Sequence, residues 1–351
     1  MKIPLIYDKK NPKWILLLEI LEVFDSRKTH QELSKNGITP LYHSINILKI
    51  SMVALFFDLE VSYVVSELNR NKKLQKQLMI DEVFTANQIY EFLSRFNERY
   101  FYEFTIKLLN SLNFKNTREI RNIIVDGTDI QIDLNWYAHK ISKKSLEEKP
   151  YKWSYSSSKG YYIGLKLTLA IDCKTMQPIA MLFHEGTPND AKLFDEIMNE
   201  LKKRRIIRNG DRLFFDKGYF NKDNYQIAIM KHKTSSLIFP RGKNPLKAIE
   251  EHLSYPLEFF EGKKVDKEYY IALYERAIEM LKKWKSYKGL RSKIEDFNKL
   301  LKIGIYLTKI HRYAEESIHK NVVKCTFRRN NYITWISHKE RNTTAHGNVK
   351  I

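Results

Sequence analysis

The sequence has little cysteine and no long apolar segment, and these absences exclude several protein classes. Its two cysteines, Cys173 and Cys325, are 152 positions apart, which fits neither paired zinc ligands nor a disulfide-rich scaffold. Its apolar runs are far shorter than the roughly 18 to 20 residues that a membrane-spanning helix needs. Charged residues also interrupt the first ten positions, where a secretory signal would begin its apolar region. We therefore expect a soluble cytoplasmic protein.

Positive charge is what the sequence has in excess. The 351 residues include 61 Lys and Arg against 41 Asp and Glu, which gives a net charge of +20. Residues 1–115 account for only +3, so 17 of the excess charges lie in residues 116–351. An excess of this size favours an extended polyanion such as DNA as the partner. A basic ribosome- or membrane-associated surface would have a similar composition.

The first third of the chain has the spacing of helices. Hydrophobic residues make up 43% of the chain, which is enough for one large or two medium domains with a core. Apolar side chains recur at helical intervals, for example at Ile45, Leu48 and Met52. We predict a helical N-terminal domain over residues 1–115 that binds DNA, mediates dimerisation or only packs against the rest.

After residue 120 the spacing changes to that of short β-strands. Two helices are predicted between the third, fourth and fifth of these strands, and the first of them follows the capping residue Asn189. Three consecutive strands followed by alternating helices and strands indicate an α/β fold with a mixed sheet flanked by helices, as in an RNase H-like core. The five predicted strands are Asn122–Ile130, Gly164–Ile171, Pro178–Phe183, Arg212–Phe215 and Ser235–Phe239.

The remaining segments complete the predicted domain organisation. The catalytic domain is expected over residues 116–315. It contains a mainly helical insertion at about residues 241–285 and a last helix over residues 288–311. A basic C-terminal tail follows over residues 316–351.

Two aspartates follow apolar strands in matched contexts. Asp126 follows the run NIIV and precedes Gly127, and Asp216 follows RLFF and lies two positions before Gly218. A carboxylate at a strand end is held by the sheet, and a nearby glycine lets the backbone turn away and leaves room for a ligand. Two such acids on adjacent strands could share a hard cation. Either one alone is more typical of an ordinary turn.

A third acid lies on the predicted last helix. Arg291, Glu295 and Lys302 are separated by four and seven positions, which places them within roughly 40° of one another around a helix. Glu295 could complete a site with three carboxylates, and the two cations could meet phosphates. The alternative is a solvated helix face with an Arg–Glu ion pair worth about a few tenths of a kcal/mol.

Two other acids near these positions have structural interpretations. Asp129 points to the opposite side of an ideal strand from Asp126, which favours a role in a turn or in structure. Asp190 begins the helix after the third strand, where the helix dipole favours a carboxylate.

Five segments, taken in order, resemble the catalytic domain of prokaryotic insertion-sequence DDE transposases of the IS-four and IS-five kind. The resemblance covers about residues 120–315 and implies an RNase H-like, nucleoid-associated enzyme. Such an enzyme binds terminal inverted repeats, cuts the DNA and joins it to target DNA. The family's helix signature has a tyrosine three positions before the arginine, whereas Tyr287 lies four positions before Arg291. The segments are VDGTDI, YYIGLKLTLAID, HEGTPNDAKLFDEI, FFDKGYF and RSKIEDFNKLLK.

The same resemblance implies roles for individual residues. Asp126, Asp216 and Glu295 would be the catalytic acids and would hold two Mg²⁺ ions, or Mn²⁺ in their place. Three carboxylates without a cysteine or histidine cluster suit a hard cation of this kind. Pairing of two transposon ends implies a homodimer or a larger assembly. The implied DNA contacts are Lys217, Tyr287, Arg291 and Lys302.

Two basic segments are further predicted DNA contacts. Residues 138–162 interleave six lysines with Trp153 and several tyrosines. Lysines can neutralise phosphates and aromatic rings can stack on unpaired bases, so Lys152 and Trp153 are predicted to contact DNA. An ordinary flexible β-hairpin loop would have the same composition. The tail is a second candidate, through Arg328, Arg329 and Trp335.

Two other functions are compatible with the same residues. One is a stand-alone metal-dependent nuclease of the same fold, which cuts DNA without strand transfer. The other is a catalytically inactive, DNA-binding relic of an insertion sequence.

Overall fold

The computed structural model divides the chain into two compact units, Met1–Lys115 with His319–Ile351, and Asn116–Ile318. Predictions for Cys325, for residues 138–145, and for Arg328, Arg329 and Trp335 lie outside the described residues. The structure describes residues 6–8, 10–25, 30–31, 33–34, 42–57, 59–94, 121–134, 146–156, 160–174, 176, 178–203, 207, 211–240, 245–258, 264–299, 301–302, 309–310, 313–323 and 326.

The described part of the N-terminal segment consists of helices, as predicted. Ile45, Leu48 and Met52 are buried. The ammonium of Lys49 is also buried, and it lies 2.7 Å from the Asp25 carboxylate and 2.8 Å from the Met79 carbonyl. The helices are α1 (Pro12–Phe24), α2 (Tyr42–Phe57), α3 (Val61–Arg70), α4 (Lys72–Gln77) and α5 (Ala86–Ser94).

The strands of the second unit form one mixed, seven-stranded sheet in the order β2-β3-β1-β5-β6, with β4 paired to β3 and β7 paired to β1. Strand β3 is antiparallel to β1, β2 and β4, whereas β5 is parallel to both β1 and β6. The RNase H-like α/β arrangement predicted from the sequence is therefore confirmed. The strands are β1 (Asn122–Ile132), β2 (Lys152–Ser156), β3 (Gly160–Asp172), β4 (Pro178–His184), β5 (Arg212–Phe215), β6 (Ser236–Ile238) and β7 (Lys309–Ile310).

Helices pack around this sheet. The α6 helix begins as predicted, because the Asn189 side chain accepts a hydrogen bond from the Ala191 N–H. The ring of Phe194 on α6 packs against Phe215 of β5 with 4.6 Å between ring centroids. The α8 and α9 helices occupy the predicted helical insertion. The helices of this unit are α6 (Asp190–Lys203), α7 (Lys222–Met230), α8 (Pro245–Glu258), α9 (Lys264–Lys282) and α10 (Lys288–Lys299). Residues 315–323 are also helical.

The predicted last helix was too long at its C-terminal end. Residues 309–310 form β7 instead and pair in parallel with Gln131 and Ile132. The pairing of β1 with β5 ends at Val125, but β1 itself continues to Ile132. Strand β7 pairs with this free stretch, on the edge of β1 that β5 occupies earlier in the strand. Among the residues that the structure describes, no helix has the length and hydropathy needed to cross a membrane.

Candidate active site

The parallel pairing of β1 with β5 brings Asp126 and Asp216 to neighbouring positions. The register ends at the pair Val125–Phe215, and each aspartate is the next residue along its chain. The Asp216 N–H donates a hydrogen bond to the Val125 carbonyl at 3.4 Å. Two acids that are 90 positions apart in sequence thus leave adjacent strands at the same level of the sheet.

A strand runs past Asp126, as predicted for Asn122–Ile130, so the interpretation of Asp126 as a strand-end residue before a turn is wrong. Strand β1 continues to Ile132, because β3 keeps pairing with it beyond the last contact with β5. Gly127 is therefore a strand residue, not a turn residue. Its lack of a side chain makes room, since a Cβ there would lie 2.6 Å from an Asp190 oxygen and 2.7 Å from Cε of Lys166.

Asp126 is enclosed by hydrogen-bond donors. The Gly127 N–H donates to its Oδ1 at 2.8 Å, and Nδ2 of Asn298 donates to its Oδ2 at 2.9 Å. Burial, reinforced by repulsion from Asp216, raises the pKa of Asp126 to about 7. Asp126 has no ion-pair partner among the described residues.

Asp216 and Glu295 are joined by one arginine. Nε of Arg291 lies 2.7 Å from Oδ1 of Asp216, and Nη2 of Arg291 lies 3.1 Å from Oε1 of Glu295. Asp216 also begins a 3₁₀ turn, Lys217–Tyr219, and accepts a hydrogen bond from the Gly218 N–H. The structure thus brings Asp126, Asp216 and Glu295 to one edge of the sheet, and we call these three residues the acid cluster.

The α10 helix presents its charged face to this edge because its other face is held in the core. Ile294 and Phe297 are buried, as the apolar stripe in the sequence predicts. Asn298 is also buried, three positions after Glu295 and seven after Arg291, so it shares their face. Its hydrogen bond to Asp126 joins the helix to β1.

Asp190 and Lys166 meet next to the acid cluster. Nζ of Lys166 on β3 lies 2.7 Å from Oδ1 of Asp190 and donates to the Pro188 carbonyl at 2.9 Å. The Lys166 side chain is buried, and that of Asp190 is half-buried. A Cβ on Gly218 would lie 2.5 Å from the other Asp190 oxygen, so this carboxylate contacts the turn that follows Asp216.

Three of the predicted DNA contacts lie near the acid cluster along the chain. Lys217 is exposed in the 3₁₀ turn after Asp216, and Lys302 is half-buried just beyond the end of α10. Tyr287 ends a short 3₁₀ turn, and its ring lies 5.1 Å from that of Phe214 on β5. The Tyr287 ring therefore supports the strand that precedes Asp216.

Besides Arg291 and these three residues, two more predicted DNA contacts lie on the hairpin formed by β2 and β3. Trp153 is exposed, but the ammonium of Lys152 donates to the carbonyls of Leu146 and Glu147. Because these bonds hold the Lys152 ammonium against its own chain, it is poorly placed to reach a phosphate.

A family model described as "Transposase DDE domain" matches residues 117–327, which is more than half of the chain. The chain belongs to this family. The resemblance to insertion-sequence DDE transposases found in the sequence is thereby confirmed. Members of the family cut and join DNA and generally use divalent metal ions. No curated protein matches the chain.

Solved structures of Mos1 transposase are also similar to this transposase. A paired-end complex with the left transposon end is 14% identical, with 65% of this chain and 76% of the Mos1 chain covered and a TM-score of 0.22. A pre-cleavage transpososome is 12% identical, with 82% and 98% covered and a TM-score of 0.21. These scores are low, and the family assignment depends on the domain match.

The donor chemistry of the transposase fits a divalent cation. The acid cluster has three carboxylates, and the guanidinium beside them, that of Arg291, forms ion pairs only with Asp216 and Glu295 in the part of the chain that the structure describes. Carboxylate oxygens are the ligands that Mg²⁺ prefers. Within the described residues, no three His, Cys, Asp or Glu side chains are grouped to hold a metal ion. Arg291 contacts both Asp216 and Glu295, so these two acids would have to turn from it to share an ion.

Sequence reasoning missed Asn298 and the pair Lys166–Asp190. The helical spacing gave a signal for Asn298, since it lies on the face of Arg291 and Glu295. Asp190 occupies a place where the DDE transposases that the chain resembles often have an acid, but the helix dipole was an adequate explanation for it. Its contacts with Gly127 and Gly218 depend on how α6 packs against the sheet, which residue spacing along the chain does not show.

Proposed function

We propose that this transposase binds the terminal inverted repeats of an insertion sequence, cuts the DNA at their ends and joins the free ends to target DNA. The observation that carries the proposal is the convergence of the acid cluster. Asp126 and Asp216 follow one strand pair, and Glu295 is bound to Asp216 through Arg291. These acids lie 90 and 79 positions apart in the chain, so their proximity is a product of the fold.

The three acids would hold the divalent ions, as Mg²⁺ or Mn²⁺. When bound there, such ions would supply the positive charge that activates a water and neutralises the departing 3′ oxygen. The protein contributes orientation. Asn298 and the Gly127 N–H fix the two oxygens of Asp126, and the Gly218 N–H holds Asp216. Asp126, held in this way, needs little rearrangement when the ions bind, whereas Asp216 and Glu295 would exchange Arg291 for the ions.

Basic side chains beside the acid cluster would bind phosphates of the DNA backbone. Arg291 is partly exposed and already contacts two acids, so a phosphate could exchange with those acids for its guanidinium. Lys217 is exposed directly after Asp216, and Lys302 follows α10. We assign these three side chains to phosphates near the cleaved bond. Tyr287 would act by supporting Phe214.

Target joining requires two transposon ends to be held together. We therefore propose a homodimer or larger assembly as the active form. The helical segment of residues 1–115 would supply dimerisation or further DNA contacts. Size-exclusion chromatography with light scattering, with and without repeat-end DNA, tests this. A monomer on DNA would contradict it.

The test of the function uses Asp126→Ala, Asp216→Ala and Glu295→Gln. Each should abolish Mg²⁺-dependent cleavage of the cognate end and leave binding to that DNA largely intact. Asp129→Asn is the matched control, because Asp129 lies on the same strand in a position assigned to structure. Full cleavage by any one of the three variants removes that residue from the assignment. Cleavage without joining in the wild type would indicate a nuclease instead.

A further inference from the structure

We propose that Asp190 and Lys166 are positioning residues that hold Asp126 and Asp216 at the spacing needed for metal binding. The inference rests on the proposed function, because it assigns these two residues to the same metal site. Neither residue is one of the three acids expected to bind the ions. Their contribution would be made from the opposite face of the sheet.

The two faces can be assigned from the strand register. In the antiparallel pairing of β1 with β3, Gly127 lies directly opposite Thr168. Successive residues of a strand face opposite sides, so the face of Gly127 is not the face of Asp126. Asp126 contacts Asn298 of α10 on its side, and Asp190 of α6 closely approaches Gly127 on the other.

Asp190 contacts both chain segments that carry the predicted metal-binding aspartates. A Cβ added to Gly127 would lie 2.6 Å from Oδ1 of Asp190, and a Cβ added to Gly218 would lie 2.5 Å from Oδ2 of Asp190. Real Cβ atoms essentially never approach another atom so closely, so both positions must lack a side chain for Asp190 to stay in place. One carboxylate thus fixes the separation of β1 from the turn after β5.

Lys166 holds this carboxylate in place. Its ammonium lies 2.7 Å from Oδ1 of Asp190 and donates to the carbonyl of Pro188, two residues before Asp190. Both contacts are at the start of α6, whereas Lys166 itself belongs to β3. The pair therefore binds the helix start to the sheet directly behind the acid cluster. A helix-dipole role alone would require neither the ion pair nor the two glycine contacts.

The experiment measures Mn²⁺ binding to the DNA-free protein by isothermal titration calorimetry. Asp190→Asn keeps the shape of the side chain but removes its charge, and should weaken Mn²⁺ binding about tenfold, as expected when a partner that orients ligands is lost. Gly218→Ala adds a methyl group against Asp190 and should also weaken Mn²⁺ binding. Thermal unfolding is recorded for every variant.

Two matched controls separate positioning from general damage. Asp195→Asn changes another acid of α6, whose partners are Lys231 and His232. Gly289→Ala adds a methyl group where no atom lies within 4 Å. Both should bind Mn²⁺ like the wild type. Unchanged Mn²⁺ affinity in Asp190→Asn, with or without a lower melting temperature, would overturn the inference.

The same titration distinguishes this inference from the proposed function. If the wild type binds no Mn²⁺, or if Asp126→Ala binds it equally well, the metal site itself is wrong. If Asp126→Ala loses binding while Asp190→Asn keeps it, only the role of Asp190 is wrong.

Discussion

The acid cluster and the β2–β3 hairpin differ in what holds their side chains. In the acid cluster, Asp126 and Asp216 are bound by Asn298 and Arg291 of α10, and Arg291 also contacts Glu295 on its own helix. On the hairpin, Tyr155 and Tyr161 are 63% and 78% exposed and contact each other across the strands. The comparison shows that the fold brings the acidic side chains together across long sequence separations, whereas the aromatic rings of the hairpin are left exposed.

After loss of one of the three acids, the largest effect should come from Arg291→Gln. We expect cleavage to fall about 100-fold, because a cation that faces the reacting phosphate is lost. Mn²⁺ binding to the DNA-free protein should instead become tighter, because the guanidinium no longer neutralises Asp216 and Glu295. Cleavage rates and Mn²⁺ titrations measure the two effects.

Arg276→Gln is the control for Arg291→Gln, since it removes the same charge from an exposed position on α9. Arg276→Gln should change neither the cleavage rate nor the Mn²⁺ affinity. Weaker Mn²⁺ binding in Arg291→Gln would show that the arginine supports the acid cluster, and would contradict the competition that the geometry indicates.

Beside the hairpin, His184 should make folding stability depend on pH. His184 on β4 is buried against Thr168, and burial together with Lys166 lowers its pKa to about 4. The unfolded chain takes up this proton near its ordinary pKa of about 6.5. The contribution of His184 to stability is therefore fully present above pH 6.5 and declines as the pH falls to about 4, by about 3 kcal/mol.

Urea unfolding of the wild type and of His184→Gln at pH 7, 5.5 and 4.5 tests this expectation. The difference in unfolding free energy between the two proteins should change over this range, because the other titrating groups are shared. His252→Gln changes a histidine of α8 that lies 3.2 Å from Asp223 and is the control. Parallel pH curves for the wild type and His184→Gln would exclude the effect.

A smaller effect is expected from Asn298→Ala within the acid cluster. The substitution removes the donor to Oδ2 of Asp126 and should reduce cleavage about tenfold, with DNA binding unchanged. Asn199→Ala is the control, because Asn199 is exposed on α6 and bonds only to Asp195 among the described residues. Equal cleavage by Asn298→Ala and the wild type would mean that Asp126 is held sufficiently by Gly127.

Much of the fold and part of the acid cluster were predictable, for physical reasons. The order of strands and helices along the chain follows from alternation of short apolar runs with amphipathic helices, and Arg291 and Glu295 share a face through helical geometry alone. The role of Gly127 was not predictable, because an Asp-Gly pair is typical of a turn. The predicted strand Asn122–Ile130 already includes Gly127, but only the packing of α6 against the sheet shows that this glycine lies against Asp190.

The smallest effect should be seen on the hairpin, with Trp153→Ala. Trp153 is 36% exposed, and loss of a ring that stacks on an unpaired base should weaken DNA binding about fivefold. Mn²⁺ binding should not change, because no described contact joins this ring to the acid cluster. Tyr269→Ala is the matched control, since Tyr269 on α9 is 37% exposed. Fluorescence anisotropy with single-stranded repeat ends measures the affinities.

Lys152→Met sharpens this last test on the same strand. Because the Lys152 ammonium is held by two carbonyls, its loss should lower stability and leave the salt dependence of DNA binding unchanged. A lysine that met a phosphate would instead reduce the salt slope by about one when removed. A reduced slope for Lys152→Met would show that the ammonium leaves its carbonyls for DNA, and the hairpin would then contribute charge as well as rings.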